Sequence, residues 1–551
     1  MTYDVVIRGG TVVDGTGEPA RTADVAINGR TIAAVGHVDD RGTIEIDADG
    51  ALVTPGFVDI HTHYDGQATW DEHLQPSSGH GVTTVVMGNC GVGFAPVRAG
   101  DHQQLIELME GVEDLPGTVL HEGLPWTWES VGEFLDTLES RPHDIDCAAQ
   151  VCHGPLRLYV MGQRGADREP ATAEEIAEMG RLAAEGIEAG ALGFTTSRTL
   201  NHRTSRGEPT PTLTAAREEL VGIADAIGRT GTGVLQVISD FPDFVSEMKT
   251  LYQMMETSGR PLSISLAQGG PGDGYRHILA AIETANSRGL RMRAQVAARA
   301  VGILIGLEGT VNPWKRSPTY RSGADLRNPE VKEKILAESA GVGERSLLRL
   351  DRLFELGDPP DYEPDPSQSV AARAAREGRD PAELMYDLLL EGMLYLPVLN
   401  YHDGNLDAAA EMLAHEFTVP GLGDGGAHVG TICDGSFPTT LLTHWGRDRK
   451  RGERFELPWL IQRQCRSTAE AVGLLDRGLL APGLKADVNV IDFDALRLHP
   501  PKIVADLPAG GKRLMQDADG YLHTFVSGVE TYTGGAPTGA LPGQLVRGAR
   551  S

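Results

Sequence analysis

Cysteine is scarce in this chain of 551 residues, and its spacing excludes two classes of small domain. No Cys-x-x-Cys pair occurs, so the sequence predicts neither a zinc ribbon nor a disulfide framework, and we expect a reducing compartment. No apolar run reaches the roughly 18–20 residues that span a bilayer. The N-terminal segment MTYDVVIRGG lacks the basic and apolar stretches of a signal peptide, which indicates a cytoplasmic protein. The cysteines are Cys90, Cys147, Cys152, Cys433 and Cys465.

Positive charge is also scarce. The chain has 49 Lys and Arg residues against 77 Asp and Glu residues, a formal net charge of -28. A field of this sign repels nucleic acid and anionic membrane surfaces, so we expect neither as a partner. We expect a small-molecule substrate instead. A homo-oligomer is also compatible with the sequence.

Both ends of the chain have the alternating pattern of short β-hairpins. Residues 3–17 predict a strand, a turn at Gly9-Gly10 and a second strand, and residues 23–36 repeat this pattern around Asn28-Gly29. The same pattern returns from residue 478 onward. We expect residues 1–54 and 478–551 to form one small β-sandwich domain, and the alternative is two unrelated appendages.

Residues 55–477 have a different pattern, in which apolar strands alternate with amphipathic helices. This alternation predicts parallel βα units and an α/β fold, and about eight strands fit a (β/α)8 TIM-like barrel. The clearest helix covers residues 172–190, with Thr172 as N-cap and Gly190 as C-cap. The long connection near residues 97–145 is predicted to be an insertion, either a lid or a surface decoration. The apolar stretches are residues 53–65, 82–91, 145–155, 191–198, 233–241, 261–270, 290–297 and 417–428.

The strongest chemical signal is His61-Thr62-His63 at the end of the first apolar stretch. Side chains at i and i+2 of a strand point to one face, and their Cα atoms lie roughly 6–7 Å apart, so both imidazoles can bind one ion. Paired imidazoles suit zinc and its neighbours, and the C-terminal ends of barrel strands carry the chemistry. We therefore expect one divalent metal ion here, with Zn2+ as its expected identity.

Three further residues follow apolar stretches, and each has a structural alternative. Cys90 lies between Asn89 and Gly91, in a segment too polar for ordinary core, and is either a small buried residue or a thiolate ligand of zinc. Asp424 lies among glycines and either belongs to an ordinary turn or comes close to a metal or ligand. His428 either lines the site or caps the loop.

Several motifs together carry a family resemblance: VTPGFVDIHTHYDGQ (53–67), GNCGVGFAPV (88–97), CHGPLRLYVMG (152–162), GLGDGGAHVG (421–430) and the two terminal segments. They resemble the amidohydrolase superfamily, and more closely its N-acyl-D-amino-acid deacylase (D-aminoacylase) branch, over nearly the whole chain. The resemblance implies that Cys90 is a metal ligand beside His61 and His63. It also implies that Asp424 binds the metal and acts as general base, taking a proton from water and returning it to the departing amine.

The third of these motifs contains His153 and Arg157. Arginine suits a substrate carboxylate through bidentate hydrogen bonds, so we expect His153, Arg157 and His428 to bind substrate. The alternative for Arg157 is an ion pair inside the barrel. Asp65 and Gln67, which follow the paired histidines, are expected to orient them from behind.

The chain departs from the branch at the second metal position. The branch has metal-binding histidines on the fifth and sixth strands, but the corresponding stretches VLQVISDF (234–241) and LSISLAQGG (262–270) contain none. Gln236, Ser239, Asp240 and Gln268 occupy that neighbourhood, and the fourth stretch, GALGFTTSR (190–198), offers no lysine for a carbamate bridge. The lysine that follows the sixth-strand histidine in the branch is also missing. We therefore expect one ion rather than two.

These observations predict a metal-dependent hydrolase that cleaves a linear amide C–N bond, that of an N-acyl-D-amino acid. Two alternatives stay open. One is a hydrolase or lyase that acts on a cyclic amide, ester or lactone with the same one-metal site, which the missing histidines favour. The other is a non-catalytic barrel protein, against which the paired histidines and Asp424 argue.

Overall fold

The two ends of the chain share one β-sheet in the computed structural model, which describes residues 2–339 and 348–548. The fifth strand of the chain pairs antiparallel with the first strand of the C-terminal β segment, so that Val53 lies opposite Val490. Val25, Val53, Val488 and Phe525 are buried in a common core. The strands of this sheet, numbered in chain order, are β1 (Tyr3–Val12), β2 (Arg21–Asn28), β3 (Thr31–Gly36), β4 (Gly42–Asp47), β5 (Leu52–Pro55), β18 (Val488–Ile491), β23 (Tyr521–Val526), β24 (Val529–Thr533) and β25 (Ala536–Pro537).

One predicted turn in this sheet is wrong. Gly9-Gly10 does not reverse the chain, because β1 runs through it as a single strand and its register against β2 shifts between Ile7 and Gly10. Gly9 has a φ of 66°, and its N–H donates to Oδ1 of Asp24 (2.8 Å) instead of to the strand ladder. A positive φ at a glycine serves a β-bulge as well as a turn, so the dipeptide alone does not distinguish them. The hairpin at Asn28-Gly29 is confirmed.

The middle of the chain contains parallel strands at all eight predicted stretches, which confirms the α/β class. They pair as a three-stranded sheet (β6-β7-β8) and a six-stranded sheet (β9-β10-β11-β12-β13-β17), and only Gln150 separates β8 from β9. Their bounds are β6 (Phe57–Asp59), β7 (Val82–Met87), β8 (Asp146–Ala149), β9 (Val151–Cys152), β10 (Gly193–Arg198), β11 (Val234–Ser239), β12 (Leu262–Leu266), β13 (Met292–Val296) and β17 (Thr418–Pro420).

Helices connect these strands. The helix predicted over residues 172–190 is confirmed: a capping box joins Thr172 and Glu175 at its start, and Gly190 adopts a left-handed conformation at its end. The α-helices are α1 (His102–Glu113), α2 (Gly117–Gly123), α3 (Val131–Glu139), α4 (His153–Met161), α5 (Gln163–Ala166), α6 (Ala173–Ala189), α7 (Arg217–Arg229), α8 (Phe244–Ser258), α9 (Gly274–Ser287), α10 (Pro318–Arg321), α11 (Pro329–Glu338), α12 (Val370–Glu377), α13 (Pro381–Glu391), α14 (Asp407–Ala414), α15 (Phe437–Thr440), α16 (Leu457–Gln462) and α17 (Thr468–Ala471). Two π-helical segments cover Leu441–Asp448 and Arg463–Ser467.

The remaining strands form small, separate antiparallel sheets. A three-stranded sheet pairs β16 (Leu394–Leu399) with β14 (Val301–Ile305) and β15 (Phe354–Glu355), beside a separate apolar cluster that contains Trp314. Two hairpin-like pairs are formed by β19 (Arg497–Leu498) with β22 (Ala518–Asp519) and by β20 (Lys502–Leu507) with β21 (Gly511–Met515). Within the described ranges, no helix combines the length and apolar character needed to cross a bilayer.

A backbone connection beyond the strand ends joins the first and last parallel strands. Thr62 and Gly425 form an isolated parallel bridge. The N–H of Asp424 donates to the carbonyl of His61 (3.1 Å), and the N–H of His63 donates to the carbonyl of Gly425 (2.8 Å). The backbone alone therefore brings the segment after β6 against the segment after β17, at the carboxyl ends of the parallel strands.

Candidate metal centre

His61 and His63 lie next to each other in the segment that follows β6. Both side chains are 1% exposed, and their ring centroids are 5.6 Å apart. The Nδ1–H of His61 donates to Oε1 of Gln295 on β13 (2.5 Å), which leaves Nε2 as the free acceptor. Burial lowers the pKa of His61 to about 4, so the ring is neutral at pH 7 and able to bind a cation.

Cys90 reaches the same point from the end of β7. It lies in a short 3-10 turn (Asn89–Gly91) with a φ of 56°, and the side-chain amide of Asn89 holds this turn by donating to the carbonyls of Thr62 (3.1 Å) and Val86 (2.9 Å). The Sγ atom of Cys90 lies 3.5 Å from Nε2 of His61. Burial raises the pKa of this thiol to about 11, so a cation that binds the thiolate displaces a proton.

Asp424 completes the cluster from the loop after β17. Its Oδ1 lies 3.4 Å from Nε2 of His61 and 3.6 Å from Nε2 of His63. Burial alone raises the pKa of this carboxyl, but the hydrogen bond from His63 and the charges of His61 and His428 outweigh it and hold the pKa well below its ordinary value. The carboxylate is therefore ionised and available as a ligand or a base.

The spacing of these atoms fits a single bound ion. Ligands arranged tetrahedrally about 2.0–2.3 Å from an ion lie about 3.3–3.8 Å from one another. The separations of 3.5 Å (His61 to Cys90), 3.4 Å (His61 to Asp424) and 3.6 Å (His63 to Asp424) all fall in this interval. The ligand atoms of His61, His63 and Cys90 also lie within 4.8 Å of one another. A thiolate, two imidazoles and a carboxylate are the donor types that zinc prefers, so the residues present fit a divalent metal ion.

Glu113, which the sequence analysis missed, lies behind this cluster. It is the last residue of α1, in the segment predicted as an insertion, and its side chain is 2% exposed. Its Oε1 lies 3.3 Å from Nδ1 of His63, and its Oε2 lies 3.6 Å from Nε2 of His428. The sequence did contain a signal for Glu113. It lies four residues after Met109 and eight after Leu105, on the same apolar face of the helix, and a buried acidic side chain needs a polar partner.

Gln236 on β11 and Gln268, two residues after β12, bind neighbouring side chains and backbone. Oε1 of Gln236 accepts from the N–H of Cys90 (3.3 Å), and its Nε2 donates to Oγ of Ser265 (3.2 Å). Nε2 of Gln268 donates to Oδ2 of Asp403 (3.2 Å), and its Oε1 accepts from the N–H of His402 (3.2 Å). These amide side chains therefore connect loops around the cavity.

The structure places His153 and Arg157 away from this centre, so the predicted substrate contacts are corrected. Both are fully buried and bind Glu219 of α7: Nε2 of His153 lies 2.9 Å from Oε1, and Arg157 forms a short ion pair with the same carboxylate. Nδ1 of His153 lies 2.8 Å from Oγ1 of Thr196. Neither residue lines the cavity beside the metal centre. Arg157 is thus in an ion pair, as in the alternative, but the pair joins helices α4 and α7.

His428 does line that cavity, and Asp65 and Gln67 lie behind it. The backbone N–H of His428 donates to the carbonyl of Glu113. Asp65 accepts from the N–H of Gly88 (3.1 Å) and so contacts the Cys90 turn, whereas Gln67 donates to its own loop. The hydrogen bonds of the described residues include none from Asp65 or Gln67 to the two histidines.

A cavity of about 680 Å3 opens over the metal centre. The four candidate ligands and Glu113 form its base, and the loops after β10, β11 and β12 form its walls. His202 lines the wall after β10, with its Nδ1 2.9 Å from Oγ of Ser197, and burial lowers its pKa to about 3. The cavity therefore places a small molecule directly against the cluster.

Comparisons with known proteins agree with this architecture. A model described as "Amidohydrolase family" matches residues 45–532. The N-acyl-D-glutamate deacylase of Alcaligenes xylosoxydans xylosoxydans is 28% identical over 556 residues, covering 99% of this chain and 96% of that protein. The D-aminoacylase of the same organism is 35% identical over 195 residues, which cover 35% of this chain and only 37% of that protein.

Solved structures show the same fold. The N-acyl-D-glutamate deacylase of Bordetella bronchiseptica, crystallised with zinc and a phosphonate inhibitor, superposes with a TM-score of 0.67 at 24% identity and covers 99% of this chain and 100% of that chain.

Proposed function

The chain belongs to the amidohydrolase family, and from this membership and the geometry of its metal centre we propose that it is a metal-dependent hydrolase of a linear amide C–N bond. The proposed substrates are N-acyl-D-amino acids, because relatives named as N-acyl-D-glutamate and N-acyl-D-aspartate deacylases are similar to it. The observation that carries the proposal is the grouping of the ligand atoms of His61, His63 and Cys90 within 4.8 Å of one another, with Oδ1 of Asp424 3.4 and 3.6 Å from the two imidazoles.

We propose one ion, with Zn2+ as its identity. The mixed donor set of thiolate, imidazole and carboxylate supports zinc. A single ion is supported because the side chains of Gln236 and Gln268, in the neighbourhood of a second ion, are engaged in hydrogen bonds to the protein. When bound, a divalent ion polarises the scissile carbonyl and acidifies a water molecule.

The protein's own residues then move the protons. Asp424 accepts a proton from the attacking water, whose oxygen forms a bond to the carbonyl carbon. As the C–N bond breaks, Asp424 passes the same proton to the leaving nitrogen, so the products are a carboxylic acid and a free amine. Gln295 and Glu113 keep the rings of His61 and His63 in position throughout, because each contacts the Nδ1 side of one ring.

We also propose the finer architecture. The two parallel sheets are two arcs of one (β/α)8 barrel over residues 55–477, with an insertion near 97–145, and the contact between residues 61–63 and 424–425 supports this arrangement. Residues 1–54 and 478–551 form the two parts of a β-sandwich; Met1, residues 340–347 and residues 549–551 lie outside the described ranges. A cytoplasmic location and a homo-oligomeric state stay predictions.

The test is a substrate panel run on protein of known metal content. The purified chain is stripped with a chelator, reloaded with Zn2+ and assayed for amine release from matched N-acetyl-D- and N-acetyl-L-amino acids and from one cyclic amide. We expect one ion per chain, no turnover by the stripped protein and turnover of the D-series after reloading. Turnover of the cyclic amide alone would replace the proposed reaction, and absence of stoichiometric metal would remove it.

A further inference from the structure

The cavity over the metal centre is lined by acidic side chains and by histidines. Among the described residues that line it there is no lysine and no arginine, whereas Asp424, Glu113 and Asp240 contribute carboxyl groups. Asp240 is exposed at the mouth and accepts from the N–H of Leu200 (2.7 Å). A substrate carboxylate that entered this cavity would leave water without gaining an oppositely charged side chain.

The guanidinium groups at neighbouring strand ends are already paired. Arg198, the last residue of β10, contacts Glu247 through two nitrogens (2.5 and 3.1 Å). Arg299, which follows β13, is 1% exposed and lies 2.9 Å from Oδ1 of Asp434. Either side chain would have to abandon a buried or half-buried carboxylate to reach the cavity, and breaking such a pair is strongly unfavourable.

A divalent ion held in this centre would be surrounded by acidic groups. Cys90 and Asp424 are candidate ligands, and the carboxyl group of Glu113 lies 3.3 Å from Nδ1 of His63.

Several apolar side chains also line the cavity. Ile238 and Phe241 come from the end of β11 and the loop after it, Leu266 ends β12, and Val301 and Leu399 come from the small sheet of β14 and β16. These side chains favour uncharged, apolar groups, because they gain from contact and cannot satisfy a charge.

We infer that, beyond the α-carboxylate that every N-acyl-amino acid carries, this cavity disfavours each additional carboxylate and selects uncharged, largely apolar side chains and acyl groups. This inference rests on the proposed amide hydrolysis. It separates the chain from its named relatives, which act on N-acyl-D-glutamate and N-acyl-D-aspartate. Within the proposed N-acyl-D-amino acids, the preferred side chains are neutral, and acidic side chains are rejected.

The test compares two probes of nearly equal shape, N-acetyl-D-glutamine and N-acetyl-D-glutamate, on the full-length protein loaded with one equivalent of Zn2+ at pH 8, where an unperturbed imidazole is neutral. Both kcat/KM and, by calorimetry, the dissociation constant are measured. We expect N-acetyl-D-glutamine to be favoured by at least about 30-fold in both, since an unpaired carboxylate is costly to desolvate. Equal values, or a preference for N-acetyl-D-glutamate, overturn the inference.

The calorimetric dissociation constants test the selectivity of the cavity independently of the proposed hydrolysis. If neither compound is hydrolysed but N-acetyl-D-glutamine binds at least about 30-fold more tightly, the selectivity stands and the hydrolysis proposal fails. If the metal-loaded protein binds neither compound, the inference fails, because the cavity then does not accept the neutral member of the pair.

A charge-removing variant gives a second readout. Asp240→Asn keeps an oxygen that accepts from Leu200 and removes one negative charge at the cavity mouth. We expect the kcat/KM ratio of N-acetyl-D-glutamate to N-acetyl-D-glutamine to rise by about two- to fivefold, the range for a solvent-exposed charge. Asp225→Asn is the matched control, since Asp225 pairs with Arg229 on the surface of α7 outside the cavity, and its ratio is expected to stay unchanged. An unchanged ratio in Asp240→Asn counts against the inference.

Discussion

Two buried polar clusters, one at the ends of the parallel strands and one between α4 and α7, differ in the charges that meet there. In the metal centre, Nε2 of His61 lies 3.5 Å from Sγ of Cys90 and 3.4 Å from Oδ1 of Asp424, and the described residues that line the cavity there include no lysine or arginine. In the second cluster, Arg157 and His153 bind Glu219, so that a cation and an anion already satisfy each other. Converging acceptors require a cation from outside, whereas a paired cluster does not. Burial alone therefore does not identify a functional site.

Removing the carboxylate of the first cluster is expected to have the largest effect. Asp424→Asn keeps the shape of the side chain but cannot accept the proton, so kcat/KM should fall by about 10^2–10^4-fold. The matching change in the second cluster, Glu219→Gln, should leave kcat/KM for the folded fraction within a few-fold, because Glu219 does not line the cavity. Steady-state assays of both metal-loaded variants measure kcat/KM. A similar loss in the two variants would contradict a catalytic role for Asp424 and a structural role for Glu219.

Breaking the second cluster should instead reduce stability. Arg157→Met leaves Glu219 buried without its cation, and the free energy of unfolding is expected to fall by about 3–5 kcal/mol. Urea denaturation measures the change, and metal content per folded chain should be unaltered. Arg181→Met provides the control, since Arg181 pairs with Glu178 and Glu185 on the surface of α6 and its removal should hardly move the midpoint. Loss of bound metal in Arg157→Met would show that the clusters are coupled.

The second cluster should also respond to acid. Burial raises the pKa of Glu219, but the hydrogen bonds from His153 and Arg157 outweigh it and lower the pKa to about 2. A folded-state pKa below the unfolded value gives stability that is present above about pH 4.5 and lost as the pH falls towards 2, on the order of 2–3 kcal/mol. The difference in unfolding free energy between wild type and Glu219→Gln should therefore shrink between pH 5 and pH 2.5. A difference that is constant over this interval would contradict the assigned pairing.

A smaller effect is expected behind the metal centre. Glu113→Gln weakens the contact that fixes the ring of His63, and metal affinity should fall by about 10–100-fold, with turnover of the saturated enzyme changed less. Competition with a chelator of known affinity measures this. Glu107→Gln is the matched control on the same helix. Glu107 pairs with Arg206 and does not line the cavity, so this variant should keep the metal affinity of the wild type. Equal affinities of the Glu113→Gln variant and wild type would remove Glu113 from the metal centre.

Local pattern was sufficient to predict much of the fold. The eight parallel strands and the capped helix α6 follow from apolar runs and capping residues, which are short-range signals. The turn predicted at Gly9-Gly10 was wrong because a bulge and a turn require the same glycine conformation. Only the continuous pairing of β1 with β2 distinguishes them.

The site was less predictable, because its partners come from distant parts of the chain. His61 and His63 are recognisable from their spacing, but their supporting residues Gln295 and Glu113 lie in other elements with no motif around them. Arg157 was assigned to substrate because its partner Glu219 lies 62 residues further on, in an ordinary helix. Pairing across such separations depends on the tertiary structure.

Binding of Co2+ to the metal-stripped protein, followed by absorption spectroscopy, tests directly whether one centre holds the ion. We expect one Co2+ per chain, with a thiolate-to-cobalt charge-transfer band that is lost in Cys90→Ser. The band should be retained in Cys152→Ser, because the thiol of Cys152 is buried on β9. Two ions per chain, or a band that survives in Cys90→Ser, would contradict a single centre built from His61, His63, Cys90 and Asp424.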